Sequence, residues 1–219
     1  MYFASPADFE DPFDCHVAVE FSSGPGDYQK YADAFQRLYG PNPALSSDSL
    51  ASDLQLREAI TAYARKASAR LGVYSLCEWP DSFAMWTRYA DSHRGLCLRF
   101  ETSADFGVPF NVTYTDEPVL LNFPPDHTTP RRGLGLMLTK TTRWAEEEEW
   151  RIIDLKGPGP HPFMPGLLSG VIFGAHMPEA QRALVRQWLL AGPCRPELFE
   201  AQLDPVSGAV HIVNSAGVG

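Results

Sequence analysis

Hydrophobic and polar positions divide the chain into short strands and amphipathic helices. The apolar run 170–174 is short and uninterrupted, which predicts a buried strand. Residues 180–190 then follow a helical period, and Pro178 precedes them where a first-turn proline is tolerated. Segments 198–203 and 209–213 flank the sequence Pro-Val-Ser-Gly at 205–208, which predicts a hairpin.

A second helical pattern lies in the first third of the chain. Tyr31, Phe35 and Leu38 share one face of a helix that begins near residue 27, and Leu56 and Ile60 share a face of a longer one that ends near 71. This pair predicts a helical insertion or lid at 27–71. The whole pattern predicts a single α+β domain over 1–219, with a mixed, mostly antiparallel sheet and helices packed around it.

Composition narrows the classes of function. The chain has 219 residues, 44% of them hydrophobic, and a net charge of -9. A protein this acidic has no whole-surface attraction to nucleic acid. A local basic groove formed by Arg131, Arg132, Lys140 and Arg143 remains an alternative.

The usual metal and membrane signals are missing from the sequence. Its four cysteines form no C-x-x-C pair, and its six histidines form no H-E-x-x-H motif. We therefore expect no bound metal. The N-terminus does not read as a signal peptide, so we expect reduced thiols and a cytoplasmic location. No apolar run approaches the roughly 20 residues of a membrane helix, so we expect no membrane partner.

Candidate chemistry concentrates at 140–151, and a helix predicted from about residue 135 to 142 would carry Lys140 into this segment. If Trp150 begins a strand, alternation places Glu147, Glu149 and Arg151 on one face. Carboxylates at this spacing, beside an arginine and an aromatic wall, can orient a ribose or activate a hydroxyl. The alternative is a solvated strand face that carries ordinary surface charges.

Several blocks along the chain resemble one bacterial family. They are Tyr2-Phe3-x-Ser5-Pro6-x2-Phe9-x-Asp11-Pro12-Phe13-Asp14, Met85-Trp86-x2-Tyr89-Ala90-Asp91-x-His93-x-Gly95-x-Cys97-Leu98-x-Phe100, Val112-x-Tyr114, Lys140-x3-Trp144-x2-Glu147-x-Glu149-Trp150-Arg151 and Val171-Ile172-x-Gly174. Together they resemble the family known as domain of unknown function 2971. That family carries a further strand before the first block, and its absence here would leave a sheet edge that favours a homodimer.

The order of these blocks is also similar to the ADP-ribosyltransferase plan. That likeness implies an NAD-dependent ADP-ribosyltransferase or NAD glycohydrolase, of the kind that bacteria use as toxins or in antiphage defence. NAD would lie in a cleft, and a protein or nucleic acid would serve as the acceptor. Glu149 would be the catalytic carboxylate, with Glu147 as the second choice.

The same likeness implies a set of NAD-binding residues. Lys140 and Arg151 would hold the pyrophosphate, Trp86 and Tyr89 would stack on the nicotinamide, and His93 would make a polar contact. The first block would contribute Tyr2, Ser5 and Asp11.

Each of these residues also has a structural interpretation. Trp86 and Tyr89 would pack in the core, His93 would cap a turn, and Arg151 would pair with Asp11 or Glu149. Two further functions therefore remain open. They are a nucleic-acid-binding or -processing module, and a non-catalytic sensor or interaction domain.

Overall fold

The computed structural model describes residues 1–21, 28–40, 53–103, 106–126 and 128–215. Within them, its α-helices are α1 (Tyr28–Tyr39), α2 (Asp53–Ser68), α3 (Phe83–Tyr89), α4 (Thr129–Met137) and α5 (Glu179–Ala191). Its strands are β1 (Tyr2–Phe3), β2 (Ala18–Phe21), β3 (Gly72–Cys77), β4 (Leu96–Phe100), β5 (Phe110–Asn111), β6 (Thr113–Tyr114), β7 (Leu120–Phe123), β8 (Thr139–Lys140), β9 (Glu149–Asp154), β10 (Gly159–Pro160), β11 (Leu168–Phe173), β12 (Glu197–Leu203) and β13 (Val210–Asn214). The α+β class predicted from the sequence is confirmed.

The largest sheet has the strand order β13-β12-β11-β4. Helix α5 forms the crossover between the parallel strands β11 and β12, while the other two strand pairs are antiparallel. The side chains of β11 alternate between two cores, since Ile172 packs with Trp86 whereas Val171 and Phe173 pack against Val185 of α5. The predicted buried strand and the predicted hairpin are both present.

A second sheet has the order β3-β9-β5 and carries the acidic and basic run. Strand β9 is its central strand and pairs antiparallel with both neighbours. Its residues Glu149, Arg151 and Ile152 are buried. Three two-stranded sheets, β1-β10, β2-β7 and β6-β8, complete the described part of the fold. The strands thus form several small sheets, where the sequence predicted one.

The helical pair predicted near 27–71 corresponds to α1 and α2. Tyr31 and Phe35 of α1 form a core with Leu56 and Ile60 of α2, and this core packs on Phe123 of β7. The remainder of the predicted insertion, at 27 and 41–52, lies outside the described residues.

The position of Lys140 differs from the prediction. The sequence suggested a helix from about 135 to 142 that would carry this lysine, but α4 ends at Met137 and Lys140 lies on β8. The helix ends because the Leu138 amide and the Thr139 hydroxyl both donate to the Gly135 carbonyl. Threonines at 139, 141 and 142 then favour extended backbone over a further helical turn.

Among the described residues, no helix is both long and apolar enough to span a bilayer.

Gly174 provides a test of this packing. A Cβ at this position would lie 2.7 Å from the Gly95 carbonyl oxygen and closer still to that of His93, so the end of β11 has no room for alanine. We expect Gly174→Ala to lower the free energy of unfolding by about 1–3 kcal/mol in urea denaturation. Gly133→Ala is the matched control, because open space surrounds Gly133 in α4 and alanine there favours the helix. Equal stability of the two variants would contradict the packing described here.

Candidate functional site

Arg151 lies at the centre of a buried ionic cluster and is 1% exposed. Its Nε and Nη2 donate to the two oxygens of Glu149 at 2.7 and 3.0 Å, and its Nη1 and Nη2 donate to Asp14 at 2.8 and 2.6 Å. Nη1 also donates to the Met137 carbonyl at 2.9 Å. All five guanidinium N–H groups are thereby engaged.

Lys140 joins the same cluster from β8. Its ammonium lies 2.6 Å from Glu147 Oε2, 3.1 Å from Glu149 Oε2 and 3.7 Å from Asp14 Oδ2. We call these five residues, Asp14, Lys140, Glu147, Glu149 and Arg151, the ionic cluster. All five are buried, and three carboxylates face two cations within it.

The charges of the cluster stabilise one another. Burial raises the pKa of Glu149, but Arg151 and Lys140 outweigh that effect and hold it below the usual 4.5. Burial likewise opposes the charged form of Lys140, yet Glu149 and Glu147 raise its pKa above the usual value. Both groups are therefore ionised at neutral pH. No group of side chains suited to a metal ion is found among the described residues.

A local backbone feature brings Glu147 and Glu149 to the same ammonium. Glu147 ends a 3-10 segment at Thr142–Glu147, and Glu148 adopts a left-handed conformation, with φ of 43°. This turn lets the side chains on both sides of Glu148 point inward, although the strand begins only at Glu149. The predicted common face for the two glutamates and Arg151 is present, and the alternative of a solvated face is wrong because all three are buried.

Glu147 connects the ionic cluster to the protein surface. Its Oε1 accepts a 2.7 Å hydrogen bond from the hydroxyl of Tyr89, and the Tyr89 residue is 62% exposed. Desolvation of that hydroxyl and the bond to Glu147 raise the pKa of Tyr89. Arg88 lies 3.6 Å from the same oxygen and also pairs with Glu146. Helix α3 thus covers the acidic end of the cluster with one phenol and one guanidinium.

The structure corrects the expected stacking role of Trp86. This side chain is 3% exposed, packs with Ile172 and Ala201, and donates its indole N–H to the Pro80 carbonyl at 2.7 Å. It is therefore a core residue. Tyr89, three residues later, faces outward and is the only one of the expected pair that a ligand can reach in this structure.

His93 is buried as well, and does not face a ligand cleft. Its ring stacks on Trp86 with centroids 6.3 Å apart and lies 5.7 Å from the ring of His176. Nε2 is 3.3 Å from the Thr87 hydroxyl, and Nδ1 has no hydrogen-bond partner among the described residues. Burial and His176 lower the pKa of His93, so its ring is neutral at pH 7.

The three residues expected from the first block have three different environments. Tyr2 is an exposed residue of β1, while Ser5 is buried and its hydroxyl donates to the Ala69 carbonyl. Asp11 accepts from Trp144 Nε1 at 2.6 Å and from Arg143 at 2.7 Å. These two bonds, together with a backbone bond from Phe13, offset the desolvation of Asp11 and lower its pKa. Asp11 therefore anchors the first block beside the ionic cluster, and it does not pair with Arg151.

The sequence interpretation missed three residues of this region. Asp14 binds Arg151 from a position 137 residues away, the Tyr114 hydroxyl accepts from the Glu149 amide at 2.8 Å, and Arg88 covers Glu147. Asp14 and Tyr114 stand inside the blocks that carry the family resemblance, which was the available signal for them. For Arg88, the only signal in the sequence was its position beside Tyr89.

No family model, curated protein or solved structure matches the chain in comparisons with known proteins. The resemblance to domain of unknown function 2971 therefore stays a prediction.

The importance of the ionic cluster can be tested at Arg151. Arg151→Met would leave Asp14 and Glu149 buried without their main partner, so we expect a loss of about 3–5 kcal/mol in the free energy of unfolding, measured with urea. Arg99→Gln is the control, because Arg99 makes an exposed ion pair with Glu197 and its loss should cost less than about 1 kcal/mol. Similar losses in the two variants would refute a cluster that holds the fold.

His93 predicts a dependence of stability on pH. Its pKa in the folded protein lies below the usual 6.5, so the unfolded chain takes up a proton that the folded protein resists. Stability should fall as pH drops below 6.5, by at most about 1.4 kcal/mol per pH unit from this group. We expect His93→Asn to have a shallower slope between pH 7 and 5 in urea denaturation, and parallel slopes would disprove the effect. Asparagine suits the left-handed backbone at this residue, where φ is 67°.

Proposed function

We propose that this protein acts on NAD, as an ADP-ribosyltransferase or an NAD glycohydrolase, and that Glu147 is the carboxylate closest to the substrate. One observation carries the proposal. Glu147 is the member of the ionic cluster that reaches exposed groups, through Tyr89 and Arg88. A buried carboxylate held in place by a cation beside an exposed aromatic residue is a candidate for substrate contact.

The reaction requires the positive charge that develops on the ribose to be stabilised. As the glycosidic bond to nicotinamide breaks, its electron pair leaves with neutral nicotinamide. Water or an acceptor hydroxyl then forms the new bond to the ribose carbon and releases its proton to solvent. An ionised carboxylate beside that carbon stabilises the transition state. Glu147 fits this role once the Tyr89 hydroxyl turns away from Oε1, while Lys140 continues to hold Oε2.

Glu149 is better suited to holding Lys140 in position than to contacting a substrate. Both of its oxygens accept from Arg151, one of them also faces Lys140, and the residue is 4% exposed. This arrangement reverses the order of the two glutamates expected from the sequence. Glu149 fixes Lys140, and Lys140 fixes Glu147.

The second candidate is a non-catalytic sensor or interaction domain. It is favoured by Arg151, because all five N–H donors of its guanidinium form hydrogen bonds with groups of the protein itself. This is expected for a residue that only stabilises the fold. The basic groove of a nucleic-acid-binding module has less support. Lys140 is buried among carboxylates, and Arg132 donates to the Leu120 carbonyl.

Nicotinamide release from NAD tests the proposal. We expect release by the wild type and a fall of at least about a hundredfold in Glu147→Gln, because the neutral amide cannot stabilise the developing charge. Thermal unfolding without NAD separates a chemical defect from a folding defect. Glu146→Gln is the matched control, since Glu146 is a more exposed neighbour that also pairs with Arg88. The absence of release by the wild type, or equal release by the wild type and Glu147→Gln, would exclude this function for Glu147 and favour the sensor domain.

A further inference from the structure

Two exposed arginines flank the indole of Trp144 at the surface. The Cζ atoms of Arg88 and Arg143 each lie 5.2 Å from the centroid of that ring, so they are separated by no more than twice this distance. The side chains are 37% and 55% exposed. We propose that Arg88 and Arg143 form the site that binds the pyrophosphate of a dinucleotide, an inference that rests on the proposed function and names its anion-binding residues.

The other two candidate cations for a phosphate already have buried carboxylate partners. Lys140 and Arg151, the residues expected from the sequence to hold pyrophosphate, are buried and bind Asp14, Glu147 and Glu149. Drawing either cation out to a phosphate would leave a carboxylate unpaired in the interior, which is strongly unfavourable. The ionic cluster therefore cannot also supply the phosphate contacts.

Arg88 and Arg143 can change partners at low cost. Arg88 pairs with the exposed Glu146 and lies 3.6 Å from the buried Glu147, which keeps its bonds from Tyr89 and Lys140 when the arginine leaves. Arg143 pairs with Asp11, whose side chain is only 6% exposed but keeps its bonds from Trp144 and from the Phe13 amide. Each carboxylate therefore stays hydrogen-bonded, and an ion pair between exposed side chains contributes little to stability. A phosphate that accepts a bidentate bond from a guanidinium makes a stronger contact than either of these pairs.

The surface beside Arg143 offers a place for a ring. The exposed ring of Phe13 lies 5.9 Å from the Arg143 Cζ, and it also lines a cavity of about 100 Å³ whose apolar walls include Val119 and Leu136. A flat heterocycle can stack on such a ring. A charged group and an aromatic surface side by side fit a nucleotide better than free inorganic phosphate.

Calorimetric titration with ADP-ribose and with inorganic pyrophosphate tests the inference. We expect Arg88→Gln and Arg143→Gln each to raise the Kd for both probes by about tenfold or more. Arg88→Lys and Arg143→Lys keep the charge but lose the planar fork, so their affinities should be intermediate. Phe13→Ala should weaken ADP-ribose binding alone. Thermal unfolding without ligand checks that every variant is folded.

Arg99→Gln is the matched control for these substitutions. Arg99 is also an exposed arginine, 43% accessible, with its Cζ 4.7 Å from the ring of Phe199 and an ion pair to Glu197. Its loss should leave both dissociation constants unchanged. An equal effect of Arg99→Gln, unchanged binding in Arg88→Gln and Arg143→Gln, or no binding of either probe by the wild type would overturn the inference.

The outcomes also separate this inference from the proposed function. If ADP-ribose binds through the two arginines but the wild type releases no nicotinamide, the anion-binding site is supported and the proposed enzymatic function is contradicted. If the wild type releases nicotinamide and neither Arg88→Gln nor Arg143→Gln changes the KM for NAD, the enzymatic function is supported and the anion-binding site is contradicted.

Discussion

The structure depends on the pairing of Arg151 with Asp14 and Glu149 in the interior. A buried charge without a partner costs several kcal/mol, so the elements that carry these residues must assemble together. Asp14 brings the N-terminal loop, Glu149 and Arg151 bring β9, and the Met137 carbonyl brings the end of α4. One guanidinium thus joins three distant segments. Apolar contacts alone would fix their register less strictly, because they have no directional preference.

Local signals were enough to predict much of the fold from the sequence. The apolar run of β11, the turn between β12 and β13 and the periodic faces of α1 and α2 each depend on neighbouring residues. The common face of Glu149 and Arg151 followed from strand alternation alone. Glu147 required in addition the left-handed turn at Glu148, which nothing in the residue types indicates.

The features that the sequence could not predict depend on contacts between distant segments. Asp14 is one of 27 acidic residues, and only the folded structure places it against Arg151. Trp86 and Tyr89 have similar spacing and character, yet α3 turns one into the core and the other to the surface. The contacts of Lys140 with Glu147, Glu149 and Asp14 are likewise a property of the assembled cluster, since a count of charges along the chain does not reveal their partners.

In the proposed site, buried groups hold the geometry and surface groups contact the ligand. Groups that hold geometry are buried and fully bonded, so their positions do not depend on a ligand. Groups that meet a ligand must be able to exchange partners, and Arg88 and Arg143 beside Trp144 can do so because their carboxylate partners keep other hydrogen bonds. Glu147 stands at the boundary, with one oxygen fixed by Lys140 and the other covered by Tyr89. A carboxylate held in this way keeps its position while its outer oxygen becomes available to a substrate.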